Sequence, residues 1–294
     1  MSTAQSAAVR LFPAWAKEFG VDDVHLVGCD LPVGAEGRRY RDVVDRIKRD
    51  DRAVGALITT HKIDLFEACR DLFDDVDAYA GLCEETSCLA KRGSRLVAFA
   101  TDPVSSRRAF DDFHGSQAAG DVLCLGGGGS ATAITVQLIE RRLASRITVV
   151  DRSPDRLARI RAVHQRVGAG ASVDYVENGD PITNDRLVGE LPASSLVINA
   201  TGLGKDLPGS PITGRAVFPE DGYAWDVNYR GDLSFLRQAR AQSQTRHLHI
   251  EDGWRYFIHG WAVVMGHVFD INVEGELTDR LSAIAESERP ESDR

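Results

Sequence analysis

Val122-Leu123-Cys124-Leu125-Gly126-Gly127-Gly128-Gly129-Ser130-Ala131 is an apolar run closing in glycines, and Ile147-Thr148-Val149-Val150-Asp151 follows one helix-length later. A strand that turns through glycine into a helix is how a dinucleotide site is built. The glycines permit a tight turn and close approach of a pyrophosphate, which free N–H groups at the helix start then meet. Gly126, Gly128 and Ala131 fit the G-x-G-x-x-A spacing. A glycine fingerprint alone also suits a structural turn; the flanking strand and helix patterns, and the acid ending the next strand, point to a nucleotide.

Working outward, the chain from Ser105 onward has a βαβ rhythm. Ala131, Ile134 and Leu138 line the helix after the glycines. The next helix has Ser153 as its N-cap, Pro154 at its first position and Gly168 as its stop. Residues 195–201 and 223–229 read as buried strands separated by the Gly/Pro-rich loop 202–214, and residues 247–250 as the last strand. Strands alternating with helices predict a parallel, doubly wound sheet that binds ligands beyond the carboxyl ends of its strands.

The first hundred residues also alternate. Phe12, Trp15 and Phe19 mark a helix stopped by Gly20, with a kink expected at Pro13. Residues 25–30 read as a strand; Tyr40, Val43, Val44 and Ile47 form one face of a charged helix. Gly55-Ala56-Leu57-Ile58-Thr59-Thr60 leads into His61-Lys62, and a helix is expected over about 64–73. Residues 88–91 and 95–99 flank the hairpin turn Arg92-Gly93-Ser94, which delivers Thr101-Asp102-Pro103. The tail from Glu286 is charged and expected to fray.

The 294 residues suffice for two domains, and 43% apolar content fills ordinary cores. Lys and Arg total 35 against 44 Asp and Glu, a net charge of −9 that disfavours nucleic acid as a partner. No stretch approaches the ~20 apolar residues of a membrane span. The first residues carry no basic-then-apolar leader, so a cytoplasmic location is expected. Cys29, Cys69, Cys83, Cys88 and Cys124 lack C-x-x-C spacing and read as buried thiols, with no metal site expected.

Several segments, in order, resemble the shikimate dehydrogenase family. The family's catalytic lysine matches Lys62 in Ile58-Thr59-Thr60-His61-Lys62, and its catalytic aspartate matches Asp102 in Ala100-Thr101-Asp102-Pro103. Its glycine loop matches Gly126, Gly128, Gly129 and Ala133; its Ile-Asn-Ala-Thr segment matches Ile198-Asn199-Ala200-Thr201; its Asp-x-x-Tyr matches Asp226 and Tyr229. The stretch 253–265 is similar to the one bearing a substrate-binding glutamine, with His259 in the glutamine's place. The resemblance covers about residues 8–270. There are departures as well. The family's Ser-x-Ser carboxylate clamp has no counterpart here, Ala56 lies near one expected asparagine, Glu84 or Glu85 near another, and Pro103 replaces a glycine. A carboxylate in place of a neutral amide repels an acidic substrate, so shikimate itself is not expected.

The resemblance implies hydride transfer between nicotinamide and a ring alcohol or ketone, shikimate-like or cyclitol-like. Lys62 and Asp102 would form the proton-transfer pair, since a titrating side chain has to reach the alcohol oxygen. A plain surface salt bridge is the alternative for such a pair. His61 is a rival base by its ordinary pKa. Tyr229, His259, Glu84 and Thr60 are candidate substrate contacts, with Tyr229 equally suited to packing. Gly126, Gly128, Gly129, Ser130, Ala131, Asn199, Ala200 and Thr201 are the expected cofactor cradle. Asp151, placed to accept from ribose hydroxyls and repel a 2′-phosphate, favours NAD; Arg152 and Arg156 fall where phosphate-binding arginines of NADP-using relatives lie. The expected architecture is two α/β domains, with residues 1–103 binding substrate, residues 104–253 a Rossmann-type nucleotide domain, and residues 254–294 a helical segment returning to the first. The site is expected in the cleft between them; homodimerisation stays open. The rival readings are a catalytically inactive nucleotide-binding regulatory protein of the same fold, or another nicotinamide enzyme such as a methylene-tetrahydrofolate dehydrogenase.

Overall fold

The structure is a computed structural model that describes residues 3, 6–115, 118–168, 170–205 and 207–289. The chain forms two compact units. One runs to Ser105 and resumes at Ile258; the other is Ser106–Phe257.

The first unit begins with α1 (Ala7–Glu18), α2 (Gly37–Arg49), β1 (Gly55–Leu57), α3 (Lys62–Cys69), β2 (Asp75–Val76), α4 (Ala78–Cys83), β3 (Cys88–Arg92) and β4 (Arg95–Phe99). The Ser6 hydroxyl caps α1 by accepting from the Ala8 amide, and Leu11, Phe12 and Trp15 bury its apolar face while Pro13 stays exposed. Tyr40 and Val44 do the same for α2. The sheet order is β1-β3-β4-β2. β3 and β4 are antiparallel, with Arg92 opposite Arg95 and Gly93 in the left-handed region at φ +62°, as the tight turn requires.

Three expectations change here. Residues 25–30 form no strand: Gly28 interrupts the short apolar run, and the segment lies exposed, with Val27 79% accessible and Asp30 accepting from the Thr3 amide. Cys29, on that segment, is exposed, unlike the other four cysteines. The helix expected over 64–73 starts earlier, at Lys62, and closes at Cys69 with a single 3-10 turn over Arg70–Leu72.

The second unit is entered along α5 (Asp102–His114). Its elements are β5 (Asp121–Leu125), α6 (Gly129–Glu140), β6 (Arg146–Asp151), α7 (Pro154–Val167), β7 (Ser172–Glu177), α8 (Pro181–Gly189), β8 (Leu196–Asn199), β9 (Tyr223–Asp226), α9 (Ser234–Arg240), α10 (Ser243–Arg246) and β10 (His249–Glu251). Then α11 (Trp254–Phe269) leads back to the first unit, where α12 (Glu276–Ser287) packs on α1, the Trp15 indole donating to the Leu281 carbonyl at 3.1 Å. Of the charged tail, residues 290–294 lie outside the described residues.

The second sheet has six strands in the order β10-β9-β8-β5-β6-β7, every pair parallel. Parallel strands need crossovers, and the helices that supply them cover both faces. One face buries Ile134, Leu138, Ile147 and Ile160, and the other Leu123, Leu125, Val197 and Phe218. Each fully buried aliphatic side chain contributes roughly 2 kcal/mol by leaving water. The Ser153 hydroxyl caps α7 by accepting from the Arg156 amide, with Pro154 at the first turn and Gly168 at its end.

The strand order reverses beside β5, which carries the glycine turn at its carboxyl end. There Gly126 has φ +115°, and a Cβ on it would lie 2.7 Å from the Ala200 carbonyl oxygen as the chain leaves β8. Gly126→Ala should therefore destabilise the protein by about 1–3 kcal/mol from backbone strain alone, measured by urea unfolding; unchanged stability would mean that this crossing relaxes freely.

Candidate active site

In the first unit the apolar run of β1 ends at Leu57, and Lys62 opens α3 four residues after the buried Ile58. Asp102 opens α5 just beyond β4. The loop after α4 ties the two together. The Thr86 amide donates to the Lys62 carbonyl at 3.1 Å, and the Ser87 amide to the Phe99 carbonyl at 2.9 Å. The Ser87 hydroxyl accepts from the Thr101 amide at 2.7 Å. Held this way, Lys62 Nζ donates a short hydrogen bond to Asp102 Oδ2, with side-chain exposures of 18% and 9%.

The two helix starts act oppositely. The positive end of α5 favours the Asp102 carboxylate, whereas that of α3 disfavours an ammonium at Lys62. Burial also pulls the Lys62 ammonium down, but the charges of Asp102 and Glu85 and the bond to Asp102 outweigh it, leaving its pKa above the ordinary lysine value. Glu85 is 1% exposed and its Oε1 has no hydrogen-bond partner. Burial, then the nearby Asp102 charge, push its carboxyl up to about 7 against the opposing pull of Lys62.

The remaining candidates fall into distinct settings. Glu84, one residue from Glu85, is exposed and caps α4 in the left-handed conformation, so the buried acid is Glu85. The sequence left Glu84 and Glu85 as alternatives near the expected asparagine, because one residue decides which side chain faces inward. Thr60 is exposed. Both His61 ring nitrogens are occupied: Nδ1 pairs with the Tyr40 hydroxyl at 3.0 Å and Nε2 donates to the Leu31 carbonyl at 3.2 Å. His259 is buried within α11. In the second unit, Tyr229 packs its ring edge-on to Trp254 at 5.4 Å and against Phe257 at 4.7 Å.

The glycine turn of the second unit forms a cradle. The first bond within α6 runs from the Thr132 amide to the Gly128 carbonyl, so the amides of residues 129–131, including Ser130, lie at the open helix start where an anion is favoured. A Cβ on Gly128 would meet nothing within 4 Å, leaving open space beside the turn. Ala131 is fully buried beneath it. Asp151, at the end of β6, accepts from the Gly127 amide at 2.7 Å and the Ser153 amide at 2.8 Å. Arg156 Nη1 lies 3.7 Å from Asp151 Oδ2, and Arg152 and Arg156 are exposed. These groups fit an adenosine ribose and a pyrophosphate.

Asn199 is fully buried, and its side chain supports the neighbouring loop. Its amide donates to Asp226 Oδ1 at 3.1 Å while its oxygen accepts from the Thr201 hydroxyl at 2.6 Å. The Asn228 amide group donates to the Thr201 and Leu203 carbonyls. Asp226 Oδ2 has no hydrogen-bond partner, and burial pushes this carboxyl up to about 7 despite the bonds it accepts at Oδ1. Among the described residues no helix is long and apolar enough to cross a membrane, and no group of three His, Cys, Asp or Glu is placed to hold a metal.

A six-stranded parallel sheet in this order, with a glycine turn at its switch point, defines a Rossmann-type α/β protein. No family model matches the chain. It is 27% identical over 179 residues to the shikimate dehydrogenase (NADP(+)) of Caldicellulosiruptor saccharolyticus, covering 59% of this chain and 61% of that protein. The Streptococcus gordonii protein of the same name is 30% identical over 174 residues, 58% of each. The Salinibacter ruber one is 29% identical over 236 residues, 77% of each. The chain thus spans about three fifths of the first two relatives. Solved structures of similar fold include 5-ketofructose reductase of Gluconobacter sp. strain CHM43, with TM-score 0.71, 20% identity and coverage of 97% of this chain and 94% of that one. Another is a shikimate dehydrogenase in complex with NADP+, with TM-score 0.73, 17% identity and coverage of 98% and 93%. The chain is thus similar in sequence to shikimate dehydrogenases and shares their fold.

The Asp226 carboxyl gives the fold a pH dependence of known sign. Its folded pKa is raised, so the native state holds this proton more tightly than the unfolded chain, and its contribution to stability falls as pH rises from about 4 to about 7. Asp226→Asn should remove that slope, so thermal melts should show the variant gaining on the wild type from about pH 5 to about pH 8; a constant difference across that range would contradict the assignment.

Proposed function

We propose that this protein is an NAD(P)-dependent oxidoreductase that moves a hydride to or from a ring alcohol or ketone, shikimate-like or cyclitol-like but not shikimate itself. The observation that carries the reading is the buried Lys62 to Asp102 hydrogen bond. An ion pair held in one geometry by two helix starts and a clamped loop is poorly explained as a surface salt bridge, which is worth little. A regulatory protein that only senses a nucleotide has no need of it.

The nicotinamide supplies or accepts the hydride. Lys62 stands at the alcohol oxygen, donating a proton to the forming alkoxide in reduction and taking the hydroxyl proton in oxidation. Asp102 keeps the ammonium aimed and charged. His259 and Tyr229 are further proposed contacts to a polyhydroxylated ring. Glu85, where relatives are expected to place a neutral asparagine, disfavours a substrate carboxylate. When ionised at ~6 Å from one, it costs about 3 kcal/mol at an effective dielectric near 20.

The cradle of Gly126, Gly128, Gly129, Ser130 and Ala131 would take the pyrophosphate, lined by Ala200 and Thr201. NAD is the favoured cofactor. Asp151 spends one lone pair on each of two backbone amides and keeps others for ribose hydroxyls, while its charge opposes a 2′-phosphate. Arg152 and Arg156 pull the other way, and Arg156 is partly neutralised by its contact with Asp151.

Two measurements test the reading. Lys62→Ala should lower kcat by roughly a hundredfold or more while nucleotide affinity stays near wild type; near-normal turnover on whichever ring alcohol the wild type oxidises would defeat the assignment. Fluorescence titration should show NADH binding more tightly than NADPH, and a tenfold preference for NADPH would reverse the cofactor choice.

A further inference from the structure

Glu85 is a buried acid that the reaction above leaves without a task beyond repulsion. Its neighbour Thr86 is bonded to the first residue of α3, and Ser87 is bonded to Phe99 and Thr101, on either side of Ala100. The glutamate is thereby fixed between the backbones that carry Lys62 and Asp102. Its Oε1 is buried and makes no hydrogen bond, although the charges of both neighbours are felt there. Lys62 has three N–H bonds, of which Asp102 engages one and a substrate oxygen would engage a second. One is left over.

We propose that Glu85 is the proton acceptor behind Lys62. This role rests on the hydride-transfer reading above. In oxidation the substrate O–H bond breaks and its proton goes to Lys62 Nζ, while Lys62 passes one of its own protons to a Glu85 carboxylate oxygen. The C–H electron pair and its hydrogen leave as hydride to the oxidised nicotinamide, and the ketone forms. Glu85 then releases the proton to water. In reduction the order reverses, and Glu85 restores the proton that Lys62 gives to the alkoxide.

Two features select Glu85 over Asp102 for this task. Asp102 already accepts from Lys62, and the start of α5 favours its charged form, so a proton there would displace a bond and oppose a dipole. Glu85 has neither support. Its buried Oε1 makes no hydrogen bond that a proton would displace, and burial beside a second acid favours its protonated form, near neutrality. The charged groups acting on it are Asp102 from the first turn of α5 and Lys62 from the first turn of α3.

A lysine held charged is a poor base unless its proton has somewhere to go. Glu85 supplies that destination. It acts through Lys62 without touching substrate, so its effect belongs in kcat and its pH dependence and not in KM.

The test compares wild type with Glu85→Gln, using NAD+ and NADP+ against quinate, shikimate and myo-inositol as probes. Glu85→Gln should lower the oxidation kcat by roughly tenfold to a hundredfold with the KM for uncharged myo-inositol within about twofold, and should abolish the rise of kcat with pH around neutrality. Glu85→Asp should retain part of that rise. Carbon NMR of the protein without nucleotide, labelled at glutamate carboxyls, should show one carboxyl titrating near neutrality that is missing in Glu85→Gln. A kcat within about twofold of wild type and an unchanged pH profile in Glu85→Gln overturn the relay while leaving the hydride-transfer reading standing. So does a Glu85 carboxyl that titrates in the ordinary glutamate range. Wild-type protein that oxidises none of the probes with either nucleotide defeats the parent reading, and the relay falls with it.

Discussion

Lys62 and Asp102 stand at the first residues of two different helices, and their hydrogen bond is the constraint that ties the starts of α3 and α5 together. An ammonium at a helix start faces the wrong end of the dipole, and this one is largely removed from water. It stays charged there because one carboxylate is bonded to it and a second lies near. The loop of Thr86 and Ser87 makes this durable through backbone bonds to both segments, so the pair does not depend on side-chain rotamers alone to find each other.

The second unit solves a different problem. Two strands leave the sheet side by side at the end of β5 and β8, and the space between them admits a backbone but not a side chain. Gly126 is therefore both a conformational and a steric necessity. The same turn leaves the first amides of α6 open, so a packing requirement and a helix start that favours an anion are met by one short segment. Asp151 closes the arrangement from β6 by accepting from the turn itself. The Asn199, Asp226 and Asn228 network holds the adjoining loop from beneath, with one carboxylate oxygen buried and without a hydrogen bond.

Local signals were legible wherever the chain's own neighbours decide the structure. Ser153-Pro154 and Gly168 bracket α7, and Arg92-Gly93-Ser94 makes the hairpin, because caps and turns are satisfied within a few residues. Residues 25–30 read as a strand and are not one. A strand needs a partner, and no edge of the sheet is paired with that segment. His61, a residue type that suits a base, has both nitrogens engaged by groups twenty-one and thirty positions away, which no local pattern discloses.

The amino-acid sequence by itself determined the Rossmann unit, the glycine turn with its following acid, and the family resemblance that singles out Lys62 and Asp102. These follow from periodicity and from motifs whose parts lie close in the chain or in a fixed order. Only the tertiary structure decided that Glu85 and not Glu84 is the acid near that pair, that Asn199 supports a loop with its side chain, and that Asp226 keeps an unbonded oxygen. Adjacent residues differ in burial by which way one turn faces, and burial is set by distant segments packing against it; that is why these distinctions appear only when the chain is folded.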